Sequence, residues 1–239
     1  MGNYRERIIV ALDKPTLQDT EKLLQNLKGS VVFYKIGLEL FTAHGWDAVD
    51  LVSRYGGRIF LDLKLHDIPN TVTQTIRAVC RHAIEMVNVH TLGGLEMMQG
   101  AASIVRELDA ANQKRPKILG VTILTSHSQA TLEQELKIKQ PVAEIVRHLA
   151  LLAKQAGLDG VVCSPQELAT LRKTFPSGFC LVTPGIRPQG SEVGDQVRIS
   201  TPATAFAAGA DYLVIGRPVT QAADPKSSFE AILASVSPP

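Results

Sequence analysis

The sequence predicts a (β/α)8 TIM barrel formed by residues 1–239 as a single domain, on three observations. Eight short β-rich runs alternate with amphipathic segments along the whole chain, the pattern of a parallel sheet wrapped by helices. The length of 239 residues sits near the roughly 250 typical of one such barrel. No Pro/Ser-rich linker and no short-period repeat divides the chain. A doubly wound open sheet is the other architecture that the same alternation allows.

The apolar run 8–12 reads as the first strand and the amphipathic stretch 16–27 as the helix that follows it. The second pair is a strand over 32–36 and a helix over 46–55, the third a strand over 58–64 and a helix over 71–82. Strand four covers 86–89 with a helix over 95–111, and strand five covers 118–123 with a helix over 142–156. Strands over 160–163, 179–182 and 212–215, with helices over 165–175, 202–208 and 227–235, complete the set. Gly29, Gly57, Gly157 and Gly209 fall where a helix would end before the next strand, the usual place of a C-cap glycine. Two connections are long: 125–140 after the fifth strand, and 184–200, rich in Gly, Pro and polar residues, after the seventh. Long irregular connections inside a compact domain are usually functional, often lids over a site.

Composition narrows the class. Hydrophobic residues make up 45% and charged residues 20%, ordinary for a globular protein with a large core. A net charge of +2 with dispersed positive residues argues against nucleic acid as a partner. No apolar run approaches the ~18 residues of a membrane span, and the N-terminus leads into a strand without a signal-peptide core, so the expected location is the cytoplasm. Cys80, Cys163 and Cys180 are odd in number and widely spaced, which fits reduced core residues rather than a metal motif or disulfide framework.

The most informative stretch is 58–71. Its apolar strand carries Asp62 and Lys64 two residues apart. Alternation puts these two on one face and Leu61, Leu63 and Leu65 on the other. Asp67 follows where the strand should end. Charges in a buried strand are costly unless paired, so the run Asp-x-Lys-x-x-Asp needs a reason. The bland reading is a structural ion pair followed by an Asp67 helix cap before Ile-Pro.

Position in the barrel favours a site instead. Reactive residues of such barrels gather at the C-terminal ends of the strands. Asp13 ends the first strand, Lys35 lies near the end of the second, and Asp62 and Lys64 near the end of the third. Thr125 and Ser126 follow the fifth, Arg187 the seventh, and Gly216 and Arg217 the eighth. The loops after strands seven and eight commonly hold a phosphate. Gly185 and Gly216 permit close backbone approach, Arg187 and Arg217 offer charge-assisted hydrogen bonds, and Gln196 could add an amide. His90 reads as a satisfied rim histidine, His44, His82, His127 and His148 form no metal spacing, and Trp46 and Met97-Met98 read as packing.

These residues match a known family. Asp62-Leu-Lys64-Leu-His-Asp67-Ile-Pro-Asn-Thr71, with Ala11-Leu-Asp13, Tyr34-Lys35-Ile-Gly37, Leu124-Thr-Ser126, Thr183-Pro-Gly-Ile-Arg187-Pro-Gln-Gly190 and Val214-Ile-Gly-Arg217-Pro, closely resembles bacterial orotidine 5′-phosphate decarboxylase. The resemblance runs in order over essentially the whole chain. It implies a lyase of pyrimidine (UMP) biosynthesis that converts orotidine 5′-monophosphate to UMP and CO2 without metal or organic cofactor. By motif position, Lys64 would protonate C6, and Asp62 would sit beside the departing carboxylate. Asp13 and Lys35 would hold the ribose hydroxyls, and Thr125 and Ser126 the pyrimidine edge. Arg187, Gln196, Gly216 and Arg217 would bind the phosphate. Asp67 and Thr71 would reach into the neighbouring subunit's site, making a homodimer the working unit.

Two rivals remain at this level. Mg2+-dependent keto-sugar-phosphate decarboxylases and hexulose-phosphate synthases of the same superfamily share the Asp-x-Lys-x-x-Asp strand, but carry an acidic metal ligand on the second strand where this chain has Lys35. A non-catalytic phosphate-binding barrel is the other, and intact Asp62, Lys64 and Asp67 count against it.

Overall fold

A computed structural model describes residues 4–187 and 200–236. Gln196 and the rest of 188–199 in the 184–200 connection lie outside the described residues. The strands are β1 (Ile8–Ala11), β2 (Phe33–Gly37), β3 (Arg58–Leu65), β4 (Met86–His90), β5 (Lys117–Val121), β6 (Gly160–Val162), β7 (Cys180–Thr183) and β8 (Tyr212–Ile215). All pair parallel in sequence order, and β8 pairs with β1 through Ile9 and Val214, closing the barrel. That closing pair excludes the open sheet.

The helices are α1 (Leu17–Leu27), α2 (Leu38–His44), α3 (Trp46–Arg54), α4 (Pro69–Val79), α5 (Gly94–Ala110), α6 (Val142–Ala156), α7 (Leu168–Thr174), α8 (Pro202–Ala207), α9 (Arg217–Thr220) and α10 (Pro225–Val236). Two of these were not expected from sequence. α2 follows β2 with no turn between them, and Gly45 at φ 54° separates it from α3. α9 is four residues long, too short to show a helical period. The fifth strand stops at Val121 rather than residue 123, and both Thr122 N–H and Oγ1 turn to the Val162 carbonyl. Gly157 caps α6 in the left-handed conformation as expected. At the α3–β3 turn it is Gly56 that takes positive φ. Gly57 is glycine because a Cβ there would lie 2.7 Å from the Tyr34 ring.

Period-2 alternation splits the core in two. Outward faces of the strands pack under the helices, with Leu24, Val52, Ile76, Met97, Met98 and Phe229 fully or almost fully buried. Inward faces form a second cluster along the axis: Ile9, Ala11, Phe33, Phe60, Met86, Leu119, Val182 and Val214. Each fully buried side chain of this kind contributes about 1.5–3 kcal/mol. At the N-terminal end of the barrel, Asp159 accepts the Ile118 N–H at 2.8 Å and an Arg115 N–H at 2.6 Å. Asp211 does the same for Leu181 (2.7 Å) and Arg172 (2.6 Å). The opposite end carries the candidate site. Among the described residues, no helix is long and apolar enough to cross a membrane.

Candidate active site

Two residues on from Phe33, Phe60 and Met86, the same inward face presents Lys35, Asp62 and Asn88. The apolar axis of the barrel therefore ends in a polar layer. Lys35 Nζ lies 3.1 Å from Asp13 Oδ1 and 3.4 Å from Asp62 Oδ2, and Lys64 Nζ lies 2.8 Å from Asp62 Oδ1. The result is a chain of alternating charge: Asp13, Lys35, Asp62, Lys64. Lys35 and Asp62 are 9% and 8% exposed, so neither charge is tolerable without the other. Burial works against the Lys35 ammonium, but Asp62 and Asp13 outweigh it and raise its pKa above the ordinary lysine value. Burial likewise opposes the Asp62 carboxylate, yet Lys35, Lys64 and the Asn88 amide hold its pKa below the usual range.

Asp62 and Lys64 share a side and Leu61, Leu63 and Leu65 pack on the other, as alternation predicts. The backbone between them is not a regular ladder, however. Pairing of β3 with β4 slips between Leu61 and Leu65, and Lys64 adopts φ 50°. A bulge aims Lys64 over Asp62 where an unbroken strand would carry it further along the barrel wall. Asn88, fully buried on β4, spans this bulge. Its Oδ1 accepts the Lys64 backbone N–H at 2.8 Å, and its Nδ2 donates to Asp62 Oδ1 at 2.6 Å.

This layer forms one wall of a cavity of about 650 Å³, within the range of small-molecule sites. Asp13, Lys35, Asp62, Lys64, Thr125, Ser126, Arg187, Gly216 and Arg217 all line it. Arg187 is mostly buried, and burial together with the neighbouring Arg217 lowers its pKa. Two guanidiniums that repel one another in a concave site favour an anion between them. Gly216 caps the N-terminus of α9. Backbone bonds between Arg187 and Ser200 (3.0 Å) and between Ser200 and Gly185 (3.3 Å) tie together the two ends of the seventh connection.

Asp67 and Thr71 stand exposed and do not line this cavity. Nor is Asp67 the helix cap: Ile68 occupies that position, Pro69 begins α4, and Asp67 Oδ1 accepts the adjacent Ile68 N–H at 2.7 Å. Sequence reading missed Asn88, although an amide on the inward register of an apolar strand was a usable signal. It also missed Glu39 and Cys163 in the cavity lining. Burial pushes the Cys163 thiol up to about 12, so it lines the wall without being a nucleophile. His90 behaves as a satisfied rim histidine, accepting the Leu92 N–H at 3.3 Å and stacking 5.4 Å from His66.

Comparison with known proteins agrees with this geometry. Residues 6–232 match the family described as "Orotidine 5'-phosphate decarboxylase / HUMPS family". The chain belongs to that family. Within the orotidine 5′-phosphate decarboxylase / HUMPS family it is 50% identical over 233 residues to the orotidine 5′-phosphate decarboxylase of Moorella thermoacetica, covering 97% of this chain and 92% of that protein. It is 48% identical over 230 residues to the enzyme of the same name from Syntrophotalea carbinolica, covering 96% and 94%. The crystal structure of orotidine 5′-phosphate decarboxylase from Lactobacillus acidophilus superposes with a TM-score of 0.85 at 40% identity, covering 98% of this chain and all of the other. A conserved protein from Geobacillus kaustophilus superposes with a TM-score of 0.83, also at 40% identity, covering 96% of this chain and all of the other.

Proposed function

We propose that the chain decarboxylates orotidine 5′-monophosphate to UMP and CO2, with Lys64 as the proton donor. The observation that carries this is the alternating array Asp13–Lys35–Asp62–Lys64, buried at Lys35 and Asp62, in the same cavity as Arg187 and Arg217. The arginines take the 5′-phosphate, with Gly216 beside them and Gln196 as a further amide donor. Thr125 and Ser126 face the pyrimidine edge, and Asp13 and Lys35 take the ribose hydroxyls.

Breaking the bond from C6 to the carboxylate leaves an electron pair in the ring plane, outside the π system. No conjugation spreads that charge, so fixed charge must stabilise it. The Lys64 ammonium, held 2.8 Å from Asp62, attracts the pair as it forms. It then passes its proton to C6 and recovers one from solvent. Asp62 orients that ammonium, and its own charge beside the substrate carboxylate raises the ground state. Binding of the remote phosphate supplies free energy for enforcing this approach.

The family also contains hexulose-phosphate enzymes, whose Mg2+ needs an acidic ligand on the second strand. Here the Lys35 ammonium fills the space between Asp13 and Asp62, and a cation there repels a metal. Loss of orotidine 5′-monophosphate absorbance with undiminished rate in EDTA supports this reading; strict dependence on added Mg2+ overturns it. Lys64→Ala is expected to fold, to bind UMP and to lose nearly all turnover, and near-wild-type kcat in that variant removes Lys64 from its role.

The proposal includes a cytoplasmic homodimer in which Asp67 and Thr71 complete the partner's site. Both lie exposed on the rim beside Ile68, which is 66% exposed, and Leu92 is a second exposed apolar side chain. Mixing inactive Asp67→Ala and Lys64→Ala chains should then restore about a quarter of wild-type activity, since half the dimers are mixed and each has one intact site. No recovery after verified subunit exchange overturns the shared site.

A further inference from the structure

We infer that Asn88 is a positioning residue for decarboxylation, holding Asp62 and the Lys64 backbone in the one arrangement that aims the ammonium at the reacting carbon. The inference rests on the roles proposed for Asp62 and Lys64. Asn88 does not itself line the cavity; its side-chain hydrogen bonds go to Asp62 and to the Lys64 backbone, two residues that do.

The amide orientation is set by chemistry. A backbone N–H can only donate, so the Asn88 atom facing Lys64 N is the oxygen, and the atom facing Asp62 is the NH2. One side chain thus pins both ends of the Asp62–Lys64 unit. Lys64 sits at φ 50°, where a non-glycine residue persists only if its surroundings hold it. Its N–H has left the β3–β4 ladder at the slip between Leu61 and Leu65, and Asn88 Oδ1 receives it. At the other end, Asp62 Oδ1 accepts from both Lys64 Nζ (2.8 Å) and Asn88 Nδ2 (2.6 Å). Remove the amide and the carboxylate keeps its charge partners, both on flexible lysine stems, but loses its contact to a fully buried side chain on the neighbouring strand. The ammonium then follows it.

Asn88 is also a neutral donor to a carboxylate that Lys35 and Lys64 hold by charge. An aspartate at position 88 keeps the shape and the acceptor for Lys64 N–H. It reverses the polarity towards Asp62, because two carboxylates in contact must share a proton. The charged groups facing position 88 are Asp62 and Lys64 from β3, with Lys35 and Asp13 behind them. β5 places only Leu119 opposite, and His90 follows on β4 itself beside His66.

The test measures kcat, KM and UMP affinity for Asn88→Ala and Asn88→Asp across pH. Asn88→Ala is expected to lose kcat by about 10²-fold while KM and UMP affinity move by less than about threefold, since the phosphate grip is untouched. Asn88→Asp is expected to regain about tenfold in kcat, relative to wild type, as pH falls from about 8 to about 5.5 and the shared proton restores a donor to Asp62. If Asn88→Ala does not fold, the pH profile of the isosteric variant decides alone. A kcat within threefold of wild type in a folded Asn88→Ala, or a wild-type-shaped profile in Asn88→Asp, overturns the inference. Lys64→Ala assayed alongside separates the two levels: turnover there overturns the roles of Asp62 and Lys64, whereas the Asn88 variants bear on positioning alone.

Discussion

Gly37→Ala should disable the site while leaving the barrel standing. Gly37 has φ −95°, which alanine adopts freely, so no backbone strain confuses the result. An added Cβ would lie 2.7 Å from Lys35 Nζ and 3.1 Å from Asp13 Oδ1. The methyl group therefore meets the far end of a flexible side chain, which retreats by about 1 Å to an ordinary contact distance. Lys35 and Asp13 are 3.1 Å apart. At an effective dielectric of ~20, suited to a pair with one half-exposed member, widening that gap by 1 Å costs about 1.3 kcal/mol. Loss of the hydrogen bond adds roughly 1–2 kcal/mol. The sum, about 2–3 kcal/mol, corresponds to a fall of about 30- to 150-fold in kcat/KM. Loss of orotidine 5′-monophosphate absorbance gives the rate, and a thermal melt within a few degrees of wild type confirms the fold. A folded Gly37→Ala enzyme with kcat/KM within threefold of wild type would refute the reasoning.

Arg217→Ala is expected to lower kcat/KM by about 10²-fold, the loss of a charge-assisted phosphate contact of roughly 3 kcal/mol; an unchanged value removes Arg217 from the phosphate site. His90 should shape acid stability. Burial first, then His66, Lys64 and His127, push its pKa down to about 4 from the ordinary 6.5. The unfolded chain therefore takes the proton first, and the stability His90 contributes is full above pH 6.5 and declines as pH falls towards 4. Replacement by Gln should flatten that part of the stability curve, measured by urea midpoint against pH; an identical slope in both proteins counts against it.

The barrel was legible because its signals are local and repeated. Eight apolar runs at steady spacing left few alternatives, and the closing Ile9–Val214 pair settled the remaining one. Asp13, Lys35, Asp62, Lys64, Thr125, Ser126, Arg187, Gly216 and Arg217 share a cavity because each falls from the middle of a strand onward or in the segment that follows it, a position readable from chain order. Asn88 escaped notice because its role is visible only across strands. Nothing in residues 86–90 tells of a bulge on the neighbouring strand, 24 residues earlier in the chain, and nothing in 58–65 announces that Lys64 bends into positive φ. α2 and α9 were missed for the opposite reason: short helices abutting strands carry no period of their own.

A lysine at φ 50° costs roughly 1 kcal/mol more than a glycine would in that conformation. Selection for heat tolerance alone would therefore favour glycine at position 64. On the proposed mechanism, selection for turnover forbids it, because glycine has no ammonium. Durability and chemistry thus pull one residue in opposite directions, and lineages adapting to higher temperature must gain their margin elsewhere, as at the Asp159 and Asp211 anchors beneath the barrel.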